Sequence, residues 1–193
     1  MLRPQQARMI MFSRVDTIWK AKAEGIVGYI PEIRWQGFEV PGLPGSDKFW
    51  MRASTNGVAS PQRGHMMPQV GISQPVYDNL GYITLQIFAP MNSPLAWSKG
   101  ELLAELGQCM FMAAETSGGI WFRNPRIRTL DNDGSWYRWN VIADYEFSQV
   151  KNLDTLQLDQ FLADNNIQIA GSGDGLQIIG NDLRVDIDEL PSG

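Results

Sequence analysis

The 193-residue sequence has only one cysteine, Cys109, and only one histidine, His65. A single cysteine cannot form an intrachain disulfide, so the sequence does not require an oxidising compartment. His65 has no second histidine and no nearby cysteine with which to complete a zinc site. The two residues therefore exclude a disulfide-stapled scaffold and give no support to a zinc site.

Long apolar runs and nucleotide-binding glycine motifs are also absent from the sequence. No uninterrupted apolar segment reaches the length of a membrane span or a signal peptide, so we expect a protein made in the cytoplasm, with no membrane partner. Neither a G-x-x-x-x-G-K-[ST] nor a G-x-G-x-x-G segment is present, which leaves nucleotide binding without sequence support. We expect no cofactor and no metal.

Charge is distributed unevenly along a chain whose formal net charge is −5. From residue 151 onward there are two basic and eight acidic residues, whereas residues 1–150 are almost neutral. The length allows one compact domain plus an appendage. We therefore predict one domain over residues 1–150 and an acidic C-terminal extension over residues 151–193.

The order of the predicted elements indicates an α+β fold. Pro4 and the apolar spacing of Met11, Val15 and Trp19 predict a first helix that ends near Gly25 or Gly28. Strands are predicted at 33–38, 48–54 and 80–90, the last with Ile83, Leu85 and Ile87 on one face. The sequence thus predicts a mixed or antiparallel sheet backed by two helices, with a small C-terminal helix-plus-β extension.

The second helix and the hairpin after it complete the predicted core. A capping box of Ser98 and Glu101 predicts a helix over 98–116, with Leu102, Leu103, Leu106, Met110 and Ala113 buried. Cys109 lies inside it, and we interpret Cys109 as a small buried apolar residue rather than a nucleophile. The segment Asp131-Asn132-Asp133-Gly134 is interpreted as a hairpin turn rather than a calcium loop, because no later glutamate completes such a loop.

Residues 53–79 stand out because glycine and proline punctuate them without a sustained period. We predict a long loop here, and loops of this length in small domains are usually functional or disordered. Exposed apolar residues favour burial against a partner. The candidate interface residues in this segment are His65, Met66, Met67, Val70 and Ile72.

The acidic extension is predicted to contain a short helix over 154–164, with Leu158 and Phe161 on its contact side, and strands at 167–170, 176–179 and 183–187. A segment of this size buries too little apolar surface to fold alone. We therefore expect Leu158 and Phe161 to contact the body of the chain or another subunit.

Arginine and tryptophan residues are interleaved in the segment 120–148. The arginines are Arg123, Arg126, Arg128 and Arg138, and the tryptophans are Trp121, Trp136 and Trp139. Such a set can contact nucleic acid, but arginine and tryptophan also anchor protein interfaces, and the sequence pI of about 4.9 favours the second interpretation. We predict that Arg126, Arg128 and Arg138 lie at a subunit interface.

Three segments together resemble the tail-terminator (tail-completion) family of long-tailed bacteriophages: Ile33-Arg34-Trp35, the passage from the strand at 80–90 to Ser98, and the closing hairpin that ends Trp139-Asn140-Val141-Ile142-Ala143. The resemblance covers about residues 10–150. It implies a small α/β domain that forms a hexameric ring at the head-proximal end of the tail tube. The ring ends tube growth and meets the neck.

The resemblance implies four kinds of contact: other copies of the chain, the tail tube protein, a neck or head-completion protein, and DNA that passes through the ring without sequence-specific binding. It implies a virion location and no enzymatic activity. A neck or head-tail connector of the same assembly is the first alternative. A carbohydrate- or nucleic-acid-binding module built on the seven tryptophans is the second. The extension after residue 150 departs from the family pattern.

Overall fold

The computed structural model describes residues 2–38, 40–42, 44–66, 74–112, 119–132, 134–150, 168–172, 175–180 and 183–186. Only the backbone is described for His65, Met66, Gln74 and the strands beyond residue 150. Contacts divide the chain into two units, Met1–Val150 and Lys151–Gly193. The first unit contains the sheet and helices on which the rest of the account depends.

In the described residues of the first unit, three helices and six strands follow one another. The helices are α1 (Pro4–Lys22), α2 (Glu24–Val27) and α3 (Ala96–Cys109). The strands are β1 (Glu32–Trp35), β2 (Trp50–Ala59), β3 (Gln62–Met66), β4 (Gln74–Pro90), β5 (Trp121–Leu130) and β6 (Trp136–Val150). The strands form one sheet in the order β1-β2-β4-β6-β5, with β3 paired to β4 beyond the end of β2. Because β1 is parallel to β2 and the other pairs are antiparallel, the sheet is mixed, which confirms the predicted α+β class.

The second unit contains an antiparallel three-stranded sheet. Its strands are β7 (Gln168–Ser172), β8 (Gly175–Gly180) and β9 (Leu183–Asp186), in the order β7-β8-β9. The predicted helix at 154–164, with Leu158 and Phe161, lies outside the described residues.

The helices pack on one face of the larger sheet because their apolar stripes match its alternation. Helix α1 buries Ala7, Met11, Val15 and Trp19, and it is followed by α2, which ends at Gly28 in a left-handed conformation, as glycine permits. The helix-facing side of the sheet contributes a continuous apolar set: Met51, Ala53, Ile83, Leu85, Ile87, Trp139, Val141 and Ala143. The first helix, the alternation of β4 and the alternation of β6 are all confirmed.

Helix α3 differs from its prediction at both ends. It begins at Ala96 after Leu95, without a side-chain cap, so Ser98 lies inside the helix and the predicted capping box is wrong. It ends at Cys109. Its buried residues include Gly100, Leu103 and Gly107, whereas Leu102 is 50% exposed. The side of α3 that faces the sheet includes glycines, which let the helix approach the sheet closely. Leu102 and Cys109 lie on the other side of the helix and are exposed, so the predicted burial of both is wrong.

The predicted loop at 53–79 is also wrong for most of its length. Strands β2 and β3 run antiparallel to β4 almost continuously, interrupted only around Ser60 and Pro61, so residues 50–66 and 74–90 form one long hairpin. The Asp78 N–H donates a hydrogen bond to the Pro61 carbonyl at 3.0 Å across the interruption. Gly57 and Gly64 each border an irregularity in strand pairing, and Pro61 lies in the interruption between β2 and β3, where these residues are tolerated. Residues 67–73 lie outside the described part.

Candidate functional site

The far end of the long hairpin forms what we call the arm, made of residues 62–66 of β3, 74–78 of β4 and 148–150 of β6. No arm side chain that the structure describes belongs to either buried hydrophobic cluster. Val76 and Tyr77 point to opposite faces of the ribbon, and both are half-buried. The arm is therefore a β-ribbon that extends the sheet beyond the residues that form its core.

Polar side chains connect the neighbouring strands of the arm near its base. Ser148 Oγ donates to Asp78 Oδ1 at 2.8 Å, and Asn79 Nδ2 donates to Gln149 Oε1 at 3.3 Å. Arg63 lies 3.8 Å from the same Asp78 carboxylate. Cross-strand contacts of this kind fix register but contribute little stability individually. The arm is thus held in register by polar contacts rather than by a core.

A close backbone approach marks the junction between arm and body. An added Cβ at Gly81 would lie 2.5 Å from Tyr145 Cζ and Oη and would also meet the Asn56 carbonyl. The Tyr145 hydroxyl donates to that carbonyl at 3.4 Å. Burial raises the pKa of Tyr145 above its usual value near 10.0. Only glycine fits at position 81, because any side chain would separate β2 from β4.

The opposite face of the sheet from the helices, which we call the open face, is polar and rich in arginine. One row crosses the sheet in register, with one residue on each of the five strands of its main path: Arg34, Arg52, Gln86, Asn140 and Arg128. No described helix packs on this row. The open face therefore presents guanidinium and amide groups where the helix-facing side presents the core.

Outside the arm, the described residues of the open face include six arginines and three carboxylates. The arginines are Arg34, Arg52, Arg123, Arg126, Arg128 and Arg138, and the carboxylates are Glu32, Asp144 and Glu146. Each carboxylate is paired with one arginine: Arg34–Glu32 at 2.9 Å, Arg123–Glu146 at 2.9 Å and Arg126–Asp144 at 3.1 Å. Arg138 donates twice to the Asp131 carbonyl, at 3.0 and 2.7 Å.

A small aromatic cluster supports two of these arginines. Trp50 stacks on Phe88 with ring centroids 3.8 Å apart, and Trp136 contacts both rings edge-on. The guanidinium carbons of Arg34 and Arg52 lie 5.3 and 5.9 Å from the Trp50 ring centre. Because Trp50 is only 2% exposed, its ring orients the arginines and is closed to a ligand.

A concave region lies at one corner of the open face. Its volume is about 570 Å³, and its lining includes Arg34, Arg52, Phe38 and Val40. Phe38 and Val40 are exposed. One end of the arginine row therefore opens into a recess that combines two cations with apolar groups.

The predicted interface residues have different outcomes. Arg126, Arg128 and Arg138 lie together on the open face, on β5 and β6, although their role in an interface stays a prediction. The backbone places His65 and Met66 on the arm, but their side chains are not described. Met67, Val70, Ile72, Leu158 and Phe161 lie outside the described residues. Arg34 and Arg52 were missed, because only the pairing of β1 with β2 brings them together.

Within the described ranges, no group of three or more histidine, cysteine or carboxylate side chains is arranged to hold a metal ion. Nor does any described helix have the length and hydropathy needed to cross a bilayer. Trp136 is buried in the aromatic cluster, whereas Trp121 is 50% exposed. A ligand platform that uses both tryptophans is therefore not preformed.

Comparison with known proteins gives only weak likenesses. No protein-family model matches the chain, and no curated protein matches it. One similar solved structure is 15% identical over 74% of this chain and 94% of its own, with a TM-score of 0.43. Another, titled as the virion of a native gene transfer agent particle, is 11% identical over 74% of this chain and 94% of its own, with a TM-score of 0.36. Likenesses this distant do not establish a function.

Proposed function

We propose that this chain is a structural protein of a phage or phage-like particle. More specifically, we propose that it forms a ring at the head-proximal end of the tail tube, ends tube growth and joins the tail to the neck. The sequence resemblance to tail terminators motivates the proposal, and the arm is the observation that carries it. In this proposal the chain has no catalytic role.

The arm supports an intermolecular role because none of its described side chains belongs to the core. Ordering a residue costs roughly 1–2 kcal/mol of backbone entropy, and an isolated β-ribbon recovers little of that by itself. The Ser148–Asp78 and Asn79–Gln149 contacts at the base offset only a small part of this cost. A neighbouring chain that covers the arm supplies the missing burial.

The sequence between β3 and β4 fits that role. It contains Met67, Val70 and Ile72, which in this proposal are the apolar residues that a covering surface receives. Exposed apolar residues suited to receive them lie on the helical side of the domain: Met9 on α1, and Leu95, Leu102 and Met112 on or beside α3. The arm of one subunit would then bind a different surface on the next subunit, which is a heterologous contact. Such contacts form a closed ring when the rotation between successive subunits adds up to a full turn.

An arm-less variant tests this contact cleanly. The Pro61 carbonyl and the Asp78 N–H already form the hydrogen bond that closes a two-residue hairpin. Residues 62–77 can therefore be replaced by Asn-Gly, which favours the type I′ turn that such hairpins use. The core residues of β2, β4 and β6 are untouched. We expect a folded monomer that no longer forms rings in size-exclusion chromatography with light scattering.

A second variant controls for the loss of chain length. It keeps all residues and replaces only Met67, Val70 and Ile72 with serine, which leaves β3 and β4 in place. We expect this variant to lose rings as well, with unchanged circular dichroism and unfolding midpoint. Rings of normal size from both variants would contradict the proposed joint.

Capping activity separates a tail terminator from a connector. Purified wild-type protein added to polymerising tail tube protein is expected to give short tubes of uniform end structure, and the arm-less variant is expected to give long ones. Addition to tail-less, DNA-filled heads provides the comparison for the connector alternative. Protein bound only to heads would favour the connector and contradict the terminator role.

A further inference from the structure

The open face carries a surplus of positive charge on a chain whose formal net charge is −5. Its three carboxylates are all taken up in ion pairs with Arg34, Arg123 and Arg126. Arg52 and Arg128 are exposed, and neither forms an ion pair with a carboxylate in the part of the chain that the structure describes. Surplus charge on one surface of an acidic protein favours an anionic partner on that surface.

The geometry of the row fits an extended anion. Neighbouring strands lie about 4.8 Å apart, so the five residues from Arg34 to Arg128 span roughly 19 Å. Guanidinium groups stand at both ends of this span, and the amides of Gln86 and Asn140 lie between them. Several anionic groups of one polymer can therefore contact the row together.

The chemistry of the row fits phosphate better than carboxylate-bearing protein. Arginine binds phosphate through paired N–H donors, and amide and hydroxyl side chains also contact the sugar-phosphate backbone. Ser54 and Thr84 add hydroxyls in the next row. Arginine can also anchor a protein interface, usually together with exposed tryptophan or tyrosine, but the aromatic rings beside this row, Trp50 and Phe88, are buried.

We propose that the open face binds the sugar-phosphate backbone of nucleic acid without sequence preference, with Arg52 and Arg128 as phosphate contacts. The rings of Trp50 and Phe88, which lie beside Arg52 and Gln86 on this face, are buried and closed to base stacking, which removes one source of base preference at this part of the row. Arg52, oriented over Trp50, holds the backbone near the recess at the corner of the sheet. This binding goes beyond the proposed ring function and does not depend on ring formation, and it assigns Arg128 to a phosphate contact rather than to the subunit interface predicted from the sequence.

The test measures binding of the full-length chain to a labelled mixed-sequence DNA duplex by fluorescence anisotropy at several salt concentrations. Each phosphate contact contributes about −0.9 to the slope of log K against log salt. We expect R52Q/R128Q to lower the steepness of that slope by about two units and to weaken binding roughly 60-fold at about 0.1 M salt. A second duplex of unrelated sequence should bind equally well.

Two further variants make the result specific. K20Q/K22Q removes the same amount of charge from exposed positions at the end of α1, and it should leave the slope unchanged. R52K/R128K retains the charge and should retain most of the salt dependence. Circular dichroism of every variant checks the fold.

Three results would overturn the proposal: no DNA binding by the wild type at low salt, equal weakening by K20Q/K22Q and R52Q/R128Q, or a clear preference for one duplex sequence. Labelled poly-L-glutamate serves as the probe for an acidic protein partner. If poly-L-glutamate binds with the same dependence on Arg52 and Arg128 while DNA does not bind, the face is a protein-docking surface and the nucleic-acid proposal is wrong.

Discussion

Replacing Gly100 with alanine probes the contact that sets α3 against the sheet. An added Cβ at Gly100 would lie 2.5 Å from Trp139 Cη2 and 3.1 Å from Ala89 Cβ. Trp139 is 1% exposed, and the Trp97 ring lies 5.1 Å away on another side, so the indole has little room to move. The substitution therefore forces the helix away from the sheet or the indole out of its rotamer.

The expected change in the free energy of unfolding is the difference between a stabilising and a destabilising effect. Alanine in place of glycine stabilises a helix interior by about 1 kcal/mol. Overpacking a close-packed core typically costs about 1–3 kcal/mol, and the enclosed indole places this site at the upper end. We expect Gly100→Ala to lower the free energy of unfolding by about 2 kcal/mol.

Urea unfolding followed by tryptophan fluorescence measures this change, with Gly25→Ala as the matched control. Gly25 lies in α2, and an added Cβ there meets no atom within 4 Å. The free energy of unfolding of the Gly25→Ala control should rise by about 0.5–1 kcal/mol. If Gly100→Ala were as stable as the wild type, or if both variants were stabilised alike, α3 would not pack on Trp139 as described.

Two further predictions concern the junction between body and arm and the buried tyrosines. Gly81→Ala should lower the free energy of unfolding by about 3 kcal/mol, because the new methyl group meets the Asn56 carbonyl and the Tyr145 ring; an unchanged urea midpoint would contradict that packing. Burial is the main cause that raises the pKa values of Tyr29 and Tyr145 above 10.0, so the folded state keeps these protons to higher pH than the unfolded chain does. The two tyrosines therefore contribute their full stabilisation below about pH 10, and this contribution is lost as the pH rises further. Y29F/Y145F should accordingly lose less free energy of unfolding than the wild type between about pH 9 and 11. Equal losses would show that these tyrosines do not cause the alkaline destabilisation.

Local patterns were sufficient to predict most of the body. The stripe from Met11 to Trp19 and the alternations of β4 and β6 are strong periodic signals, and each corresponds to a face buried in the core. The antiparallel pairing of β5 and β6 confirms the predicted hairpin after Leu130. These elements could be predicted because the same residues determine both the local structure and the burial.

The long hairpin could not be predicted in this way. Its strands are held by partners far along the sequence, such as Gly57 with Gly81 and Tyr77 with Gln149, and this pairing overrides the low strand propensity of glycine and proline. For α3, the sheet-facing side consists partly of Gly100 and Gly107, which a search for apolar residues overlooks. Leu102 then supplied a misleading signal, because it is apolar but exposed.

The candidate surfaces were predictable only in part. Arg126, Arg128 and Arg138 share a hairpin, so alternation alone placed them together. Arg34 and Arg52 join this group only because β1 pairs with β2, β2 with β4, β4 with β6 and β6 with β5. The spacing of residues along the sequence does not predict that arrangement. Non-local pairing thus determines the open face, as it determines the arm.

The mass of the purified protein, measured by native mass spectrometry over a range of concentrations, decides whether the chain forms the proposed ring. We predict a closed assembly of six chains of 21.7 kDa each, and its replacement by single chains when residues 62–77 are exchanged for Asn-Gly. If the wild-type protein stays a single chain at every concentration, or if loss of the arm leaves the assembly unchanged, the proposed ring contact is wrong.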